Sequence, residues 1–189
     1  MHRFPLFLIL SILLFSCAKE NFTLESQSLK RKVEANLDSK GSLSKYKESL
    51  VLSARFSLND LDYSFQIKSP DKELTWEGDY KDGGIELALT PGASFPEGDY
   101  HAIFYGDNGT ESVLDIHLAS IEYFFPYINQ SRQLVTRRNA TVIEYSEDGK
   151  EIKRTENATS GFFVDENTTK VVIEVIDRYQ NTIISTQEL

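Results

Sequence analysis

From Leu50 onward the chain alternates apolar and polar residues over short runs, and each run ends in turn residues. Leu50, Leu52, Ala54, Phe56 and Leu58 alternate, and Asn59-Asp60 follows. Tyr63, Phe65 and Ile67 alternate up to Ser69-Pro70-Asp71. Leu74 and Trp76 precede Asp82-Gly83-Gly84, and Ile85, Leu87 and Leu89 precede Pro91-Gly92. A period of two places every second side chain on one face of a pleated strand, so these runs read as half-buried strands. Their spacing, with turn signals every 8 to 12 residues or so, predicts a β-sandwich rather than a parallel or helical fold.

The pattern continues. Tyr100 to Tyr105 and Val113 to Leu118 flank Gly106-Asp107-Asn108-Gly109, a hairpin in which Asn-Gly favours a type I′ turn. Ala140 to Tyr145 and Glu151 to Thr155 form a second hairpin about Asp148-Gly149. Gly161 to Val164 reads as a short strand, and Val171 to Ile176 and Thr182 to Ser185 as a closing hairpin. Phe95-Pro96-Glu97-Gly98-Asp99-Tyr100, followed by a strand, a Gly-Asp-Asn-Gly turn and another strand, resembles immunoglobulin-like or fibronectin-type modules of bacterial surface proteins. The resemblance implies an all-β immunoglobulin-like sandwich, with Trp76 between its sheets. The closing hairpin repeats the type of the Tyr100–Leu118 hairpin, which suggests two tandem modules, 49–119 and 120–189. One larger sandwich is the alternative.

Before Leu50 the signal differs. Leu29, Val33 and Leu37 fall at helical spacing among mixed charges, and Gly41 interrupts them. Residues 17–48 are therefore expected to be a polar tether followed by a short amphipathic helix or a charged linker.

His2 and Arg3 precede Phe4 to Phe15, which is apolar apart from Ser11, and then Ser16 and Cys17. A charged start, an apolar run and a small residue describe a secretory signal peptide over 1–16. The run is short of the roughly 20 residues needed to span a bilayer. Leu14-Phe15-Ser16-Cys17 resembles the lipobox of bacterial lipoproteins, in the loose form familiar in spirochaetes, although Phe15 stands where small residues are commoner. The resemblance implies cleavage before Cys17 and acyl chains (palmitate among them) on that residue. The body would then be lipid-anchored to a cell membrane or outer membrane of the envelope, and periplasmic or surface-exposed. Cys17 is the sole cysteine, so no internal disulfide can form. Against this reading stand six Asn-x-Ser/Thr sites, at Asn21, Asn108, Asn129, Asn139, Asn157 and Asn167, which would accept glycans in a eukaryotic secreted protein.

Net charge is −9 and becomes −10 once Arg3 leaves with the signal peptide. No basic stripe interrupts this acidity, so nucleic acid and anionic lipid surfaces are disfavoured as partners. The acidity reads as solubilising.

No chemistry is prominent. His101 and His117 both lie in one predicted hairpin, and no third histidine or cysteine completes a zinc site in the mature chain. There is no Gly-x-Ser-x-Gly, no phosphate loop and no EF-hand loop. No cofactor and no metal are expected, and Asp60 with Asp62 or Asp79 with Asp82 read as solvated turn residues. The candidate partner-contact residues are Tyr123, Phe124, Phe125 and Tyr127, in the most aromatic stretch of the chain; packing inside or between modules is their plainer role. The expected function is a non-catalytic binding or scaffold protein. It would contact an envelope or host protein or a polysaccharide. A structural subunit of an envelope complex is the alternative, and an envelope hydrolase a more distant one.

Overall fold

The computed structural model describes residues 23–58, 62–80, 84–88 and 94–189. The signal-peptide and Cys17 readings, most of the tether, and the turns at Asn59-Asp60, Asp82-Gly83 and Pro91-Gly92 lie outside the described residues. Thirteen strands and no helix occur among the described residues. In the first part of the chain these are β1 (Leu24–Leu37), β2 (Leu43–Phe56), β3 (Tyr63–Lys68), β4 (Thr75–Tyr80), β5 (Ile85–Ala88), β6 (Gly98–Gly106) and β7 (Glu111–Leu118). The second part adds β8 (Tyr127–Ile128), β9 (Leu134–Val135), β10 (Ala140–Tyr145), β11 (Glu151–Ala158), β12 (Lys170–Ile176) and β13 (Thr182–Glu188).

The helix expected after Leu29 is instead strand β1, and the charged stretch up to Glu48 supplies the first half of β2. The reason lies in the spacing. Residues 29, 33 and 37 are four apart, and four is a multiple of two, so the same three side chains share one face of a strand. Arg31 and Ala35 complete that face, and all five residues are buried. Antiparallel pairing with β2, from Leu24 opposite Phe56 to Leu37 opposite Leu43, fixes the strand along its whole length.

The long β1–β2 hairpin is the spine of a seven-stranded sheet ordered β11-β10-β12-β13-β1-β2-β5. β13 lies parallel to β1, over Lys32–Leu37 only. β5 joins β2 at Ser49–Leu52. A four-stranded sheet, β4-β3-β6-β7, faces one end of this spine. Leu29, Leu50, Leu52 and Leu87 from the large sheet meet Phe65, Ile67, Tyr100, Phe104 and Leu118 from the smaller one in a single buried cluster. This is a sandwich-like arrangement, and Trp76 packs at its margin against Phe95, 5.5 Å between ring centroids.

Farther along the spine, Val33 and Ala35 stand opposite Ile183 and Ser185 on the same buried face. There Val142, Val171, Ile173 and Val175 form a second cluster, covered by Ile128 and Leu134 of the small β8-β9 ribbon and by Val164. The segment expected as a strand at Gly161–Val164 makes only an isolated bridge, Gln133 to Phe163. Its amides are spent otherwise: Gly161 donates to Leu134 O, and Val164 to Arg132 O.

Both hairpin turns read from Asn-Gly and Asp-Gly are present, but not as type I′. A type I′ turn needs positive φ at two successive residues. Gly109 (φ 78°) has it and Asn108 does not; Gly149 (φ 77°) has it and Asp148 does not. Each is a longer, three-residue loop in which a turn is followed by one left-handed glycine, and the polar side chain caps it: Asn108 Oδ1 accepts from Thr110 N at 3.0 Å.

At the tip of the β1–β2 hairpin, Asp38 Oδ1 accepts from Lys40 N and Ser42 N at 2.9 and 2.8 Å. Gly41 there has φ +82°, and a Cβ on it would lie 2.7 Å from Cγ of Tyr127. Gly41→Ala combines backbone strain with a steric clash, whereas Gly149→Ala meets open space. We expect Gly41→Ala to cost roughly 2 kcal/mol or more and Gly149→Ala about 1 kcal/mol. Thermal melts of the two variants check the order, and equal losses would contradict the Tyr127 contact.

Candidate functional site

The aromatic stretch lies in the connection between β7 and β8, which runs along the spine where the two buried clusters meet. Its chemistry starts from two charged residues on the spine's inner face. Arg31 stands opposite Leu50 in the β1–β2 ladder, and Glu48 opposite Val33, so the two are diagonal neighbours. Their side chains are 2 % and 0 % exposed, and Arg31 Nη1 donates to Glu48 Oε1 at 2.6 Å.

Two charges taken out of water are stable only when every remaining lone pair and proton is engaged. Here the surrounding segments engage them. Arg31 Nη1 also donates to Phe95 O at 2.7 Å, and Nε to Ala119 O at 3.3 Å. Glu48 Oε1 accepts from Phe95 N at 3.3 Å. Glu48 Oε2 accepts from Ser94 Oγ at 3.0 Å and from the Tyr123 hydroxyl at 2.9 Å. Both oxygens of the carboxylate are therefore committed to holding segments in place.

The same connection is tied to the β12–β13 turn. Arg31 N donates to Asn181 Oδ1 at 3.0 Å. Asn181 Nδ2 donates to Ser120 O at 2.8 Å and to Asp177 Oδ2 at 3.0 Å. Asp177 Oδ2 also accepts from Glu122 N at 3.3 Å. The Glu122 carboxylate then takes Arg178 at 2.8 Å and Arg138 at 3.2 Å.

The four aromatic candidates have four separate sets of neighbours. Tyr123 is 51 % exposed, with its hydroxyl on Glu48 and Ser94. Partial burial holds that hydroxyl above the usual phenol range; the Glu48 carboxylate adds to the rise, and the Ser94 contact offsets part of it. Phe124 is half-buried beneath the Arg137 guanidinium, 4.5 Å from ring centroid to Cζ. Phe125 lies 6.4 Å from the Tyr46 ring, and Tyr127 pairs with Val135 and covers Gly41. Only Tyr123 among them turns half its surface to solvent.

His101 and His117 stand on the outer face of β6 and β7. Each is paired with an aspartate directly across the ladder: His101 Nδ1 with Asp115 at 2.9 Å, and His117 Nδ1 with Asp99 at 2.7 Å. No group of three or more histidine, cysteine, aspartate or glutamate residues suited to a metal ion occurs among the described residues. A second buried carboxylate, Glu144, accepts from Asp165 N at 2.6 Å and Thr168 Oγ1 at 2.9 Å and so fixes the loop before β12. Sequence reasoning missed Arg31 and Glu48. The available signal was a charged residue at the inward phase of each alternating run.

No family model matches the chain, and no curated protein is similar to it.

Removing one partner of a buried pair leaves the other charge uncompensated. Arg31→Met is expected to lower stability by roughly 3–5 kcal/mol, and Arg31→Met with Glu48→Leu to recover a large part of that loss. Tyr123→Phe should cost about 1–2 kcal/mol, because it removes one hydrogen bond to a carboxylate. Urea denaturation of the variants measures all three. A single-variant loss below about 1 kcal/mol, the level of an exposed pair, would contradict the bracket assigned to these residues.

Proposed function

We propose that the chain is a bacterial envelope lipoprotein, anchored through acyl chains on Cys17, whose body is a non-catalytic binding or scaffold protein of two tandem immunoglobulin-like modules. The observation that carries the anchor is the sole cysteine at the end of the apolar run, in Leu14-Phe15-Ser16-Cys17. More than one acyl chain makes such anchoring stable, at about 0.8 kcal/mol per buried methylene.

Two features support the immunoglobulin-like reading of the first module. Strands β1, β2 and β5 face β4, β3, β6 and β7, the three-against-four order of fibronectin-type sandwiches. Tyr100, at the start of the sixth strand, donates its hydroxyl to Pro96 O at 2.9 Å. That back-bond has the form of the tyrosine corner found in immunoglobulin-like domains. Burial drives the same hydroxyl strongly upward in pKa, which suits a phenol that remains a donor.

The geometry suits a tethered body. β1 begins at Leu24, seven residues beyond Cys17, and its 14 residues rise roughly 45 Å along the spine. The second buried cluster is thereby carried away from the tether. The scaffold role fits a polar site that is fully occupied in holding segments together. Tyr123, half-exposed and fixed by its hydroxyl, is the residue of the aromatic stretch best placed to touch an envelope or host protein or a polysaccharide.

Intact mass of the membrane-extracted protein, beside a Cys17→Ser control, tests the reading. We expect a chain starting at Cys17 with added acyl mass, and loss of membrane retention in the control. A chain without lipid, or one bearing glycans on the Asn-x-Ser/Thr sites, would overturn it.

A further inference from the structure

We propose that the first half of β1 takes up an extended segment of a partner protein as an added strand, in line with β13. This rests on the reading of the body as a binding protein and names the form of its partner; the Cys17 anchor plays no part in it. β13 pairs with β1 over Lys32–Leu37 only. From Ser26 to Arg31, β1 therefore has β2 on one side and no strand on the other.

The direction of the main-chain groups follows from the ladder. Arg31 N turns away from β2 and donates to Asn181 Oδ1 at 3.0 Å. The β1–β2 register is unbroken from Ser26 to Asn36, and alternate residues of an antiparallel strand direct their N–H and C=O to opposite sides. Gln27 and Leu29 thus present theirs on the same side as Arg31. Neither makes a hydrogen bond there among the described residues. Leu29 is only 7 % exposed, and main-chain groups at so buried a residue are almost always paired. Donors and acceptors repeated every second residue, about 6.8 Å apart, match another strand.

The space beside them has the shape of a slot. A cleft of about 370 Å³ runs along Gln27 to Lys30. Its far wall is Asp115, Ile116 and His117 of β7, the edge strand of the smaller sheet. The β12–β13 turn, at Tyr179 to Asn181, closes its upper end. Asn181 already stands in for a strand by taking the Arg31 amide, and the next two outward positions stay open. The edge strand β11 is protected differently: it carries Glu151, Lys153, Arg154 and Glu156 and a bulge with Asn157 at φ 57°. An added strand supplies the missing main-chain bonds, and its side chains alternate between two surroundings. Those on the inner side meet Leu29 and the buried Ile116 and suit apolar residues. Those on the outer side lie beside the exposed Lys30 and suit Asp or Glu.

The test uses the full chain in mild detergent and a random nine-residue peptide library displayed on phage. Enriched peptides are synthesised and titrated against the wild type, Gln27→Pro and Lys30→Glu, with circular dichroism of each variant to verify folding. Gln27→Pro removes an outward N–H and leaves the β1–β2 ladder bonds in place. We expect peptides with apolar residues at every second position and an acid between them. Gln27→Pro and Lys30→Glu should each raise Kd about tenfold or more, and exchanging the acid for lysine should restore binding to Lys30→Glu. The Leu29 amide should exchange fast in the free chain and at least about tenfold more slowly with peptide bound. Lys30→Glu and the Leu29 exchange carry the test if Gln27→Pro unfolds. A Leu29 amide as protected in the free chain as that of Val33, which β13 covers, would overturn the proposal. So would a selection that yields no binder, or only peptides indifferent to Lys30→Glu and without effect on Leu29.

Discussion

Arg31 and Glu48 meet on the inner face of the β1–β2 hairpin, at the level where one buried cluster ends and the other begins. An ion pair in that position is costly unless surrounding groups complete it. Three segments do so: Ser94-Phe95 before β6, the connection from Ala119 to Tyr123, and through Asn181 the turn before β13. Each lies far from the hairpin in sequence, and each is placed by a bond to one of these two side chains or to the Arg31 amide. Elsewhere along the hairpin, Leu29, Val33, Leu50 and Leu52 contribute non-directional burial. The charged pair contributes position.

This arrangement makes β1 and β2 a common wall. Leu29 and Leu52 belong to the first cluster, while Val33 and Ala35 face the strand that closes the second. The first cluster takes Leu29, Leu50, Leu52 and Phe56 from the hairpin, and the second is joined to the hairpin through β13. A cut at the β7–β8 connection would separate the hairpin from the strand that continues its sheet, even where each half is read as a module of its own. The parallel contact of β13 with β1 is the joint, made by the last strand of the chain with the first.

Alternation made most of the strands legible. Ten of them overlap runs read from apolar period and turn residues; in most, the inward positions are filled by Leu, Ile, Val, Phe and Tyr, whereas β11, with only Ala158 buried, is legible from the Asp148-Gly149 turn alone. The failure over β1 and the first half of β2 has one cause. Where the inward position is occupied by Arg31 or Glu48, the alternation is broken by the very residues that matter most, and the remaining Leu29, Val33 and Leu37 fit a helix equally well. A buried ion pair cannot be recognised from one strand, since its stabilisation comes from partners 17 to 88 residues away. The ribbon β8–β9 was illegible for a different reason: two residues per strand carry no period. The aromatic stretch stands between β7 and the β8–β9 ribbon, and its residue-by-residue contacts with Glu48, Tyr46 and Gly41 depend on that hidden hairpin.

The central claim is that the hairpin and its ion pair bind both clusters into one cooperative structure. Trp76, the only tryptophan, packs beside Phe95 and Tyr100 and reports the first cluster. Amide exchange of Val171 to Val175 reports the second. Following both through a urea titration tests the claim most directly. The account predicts that Trp76 fluorescence and protection of the β12 amides are lost at the same midpoint, and that both midpoints fall together in Arg31→Met. Two separated transitions, with β12 still protected after Trp76 has become solvent-exposed, would contradict it.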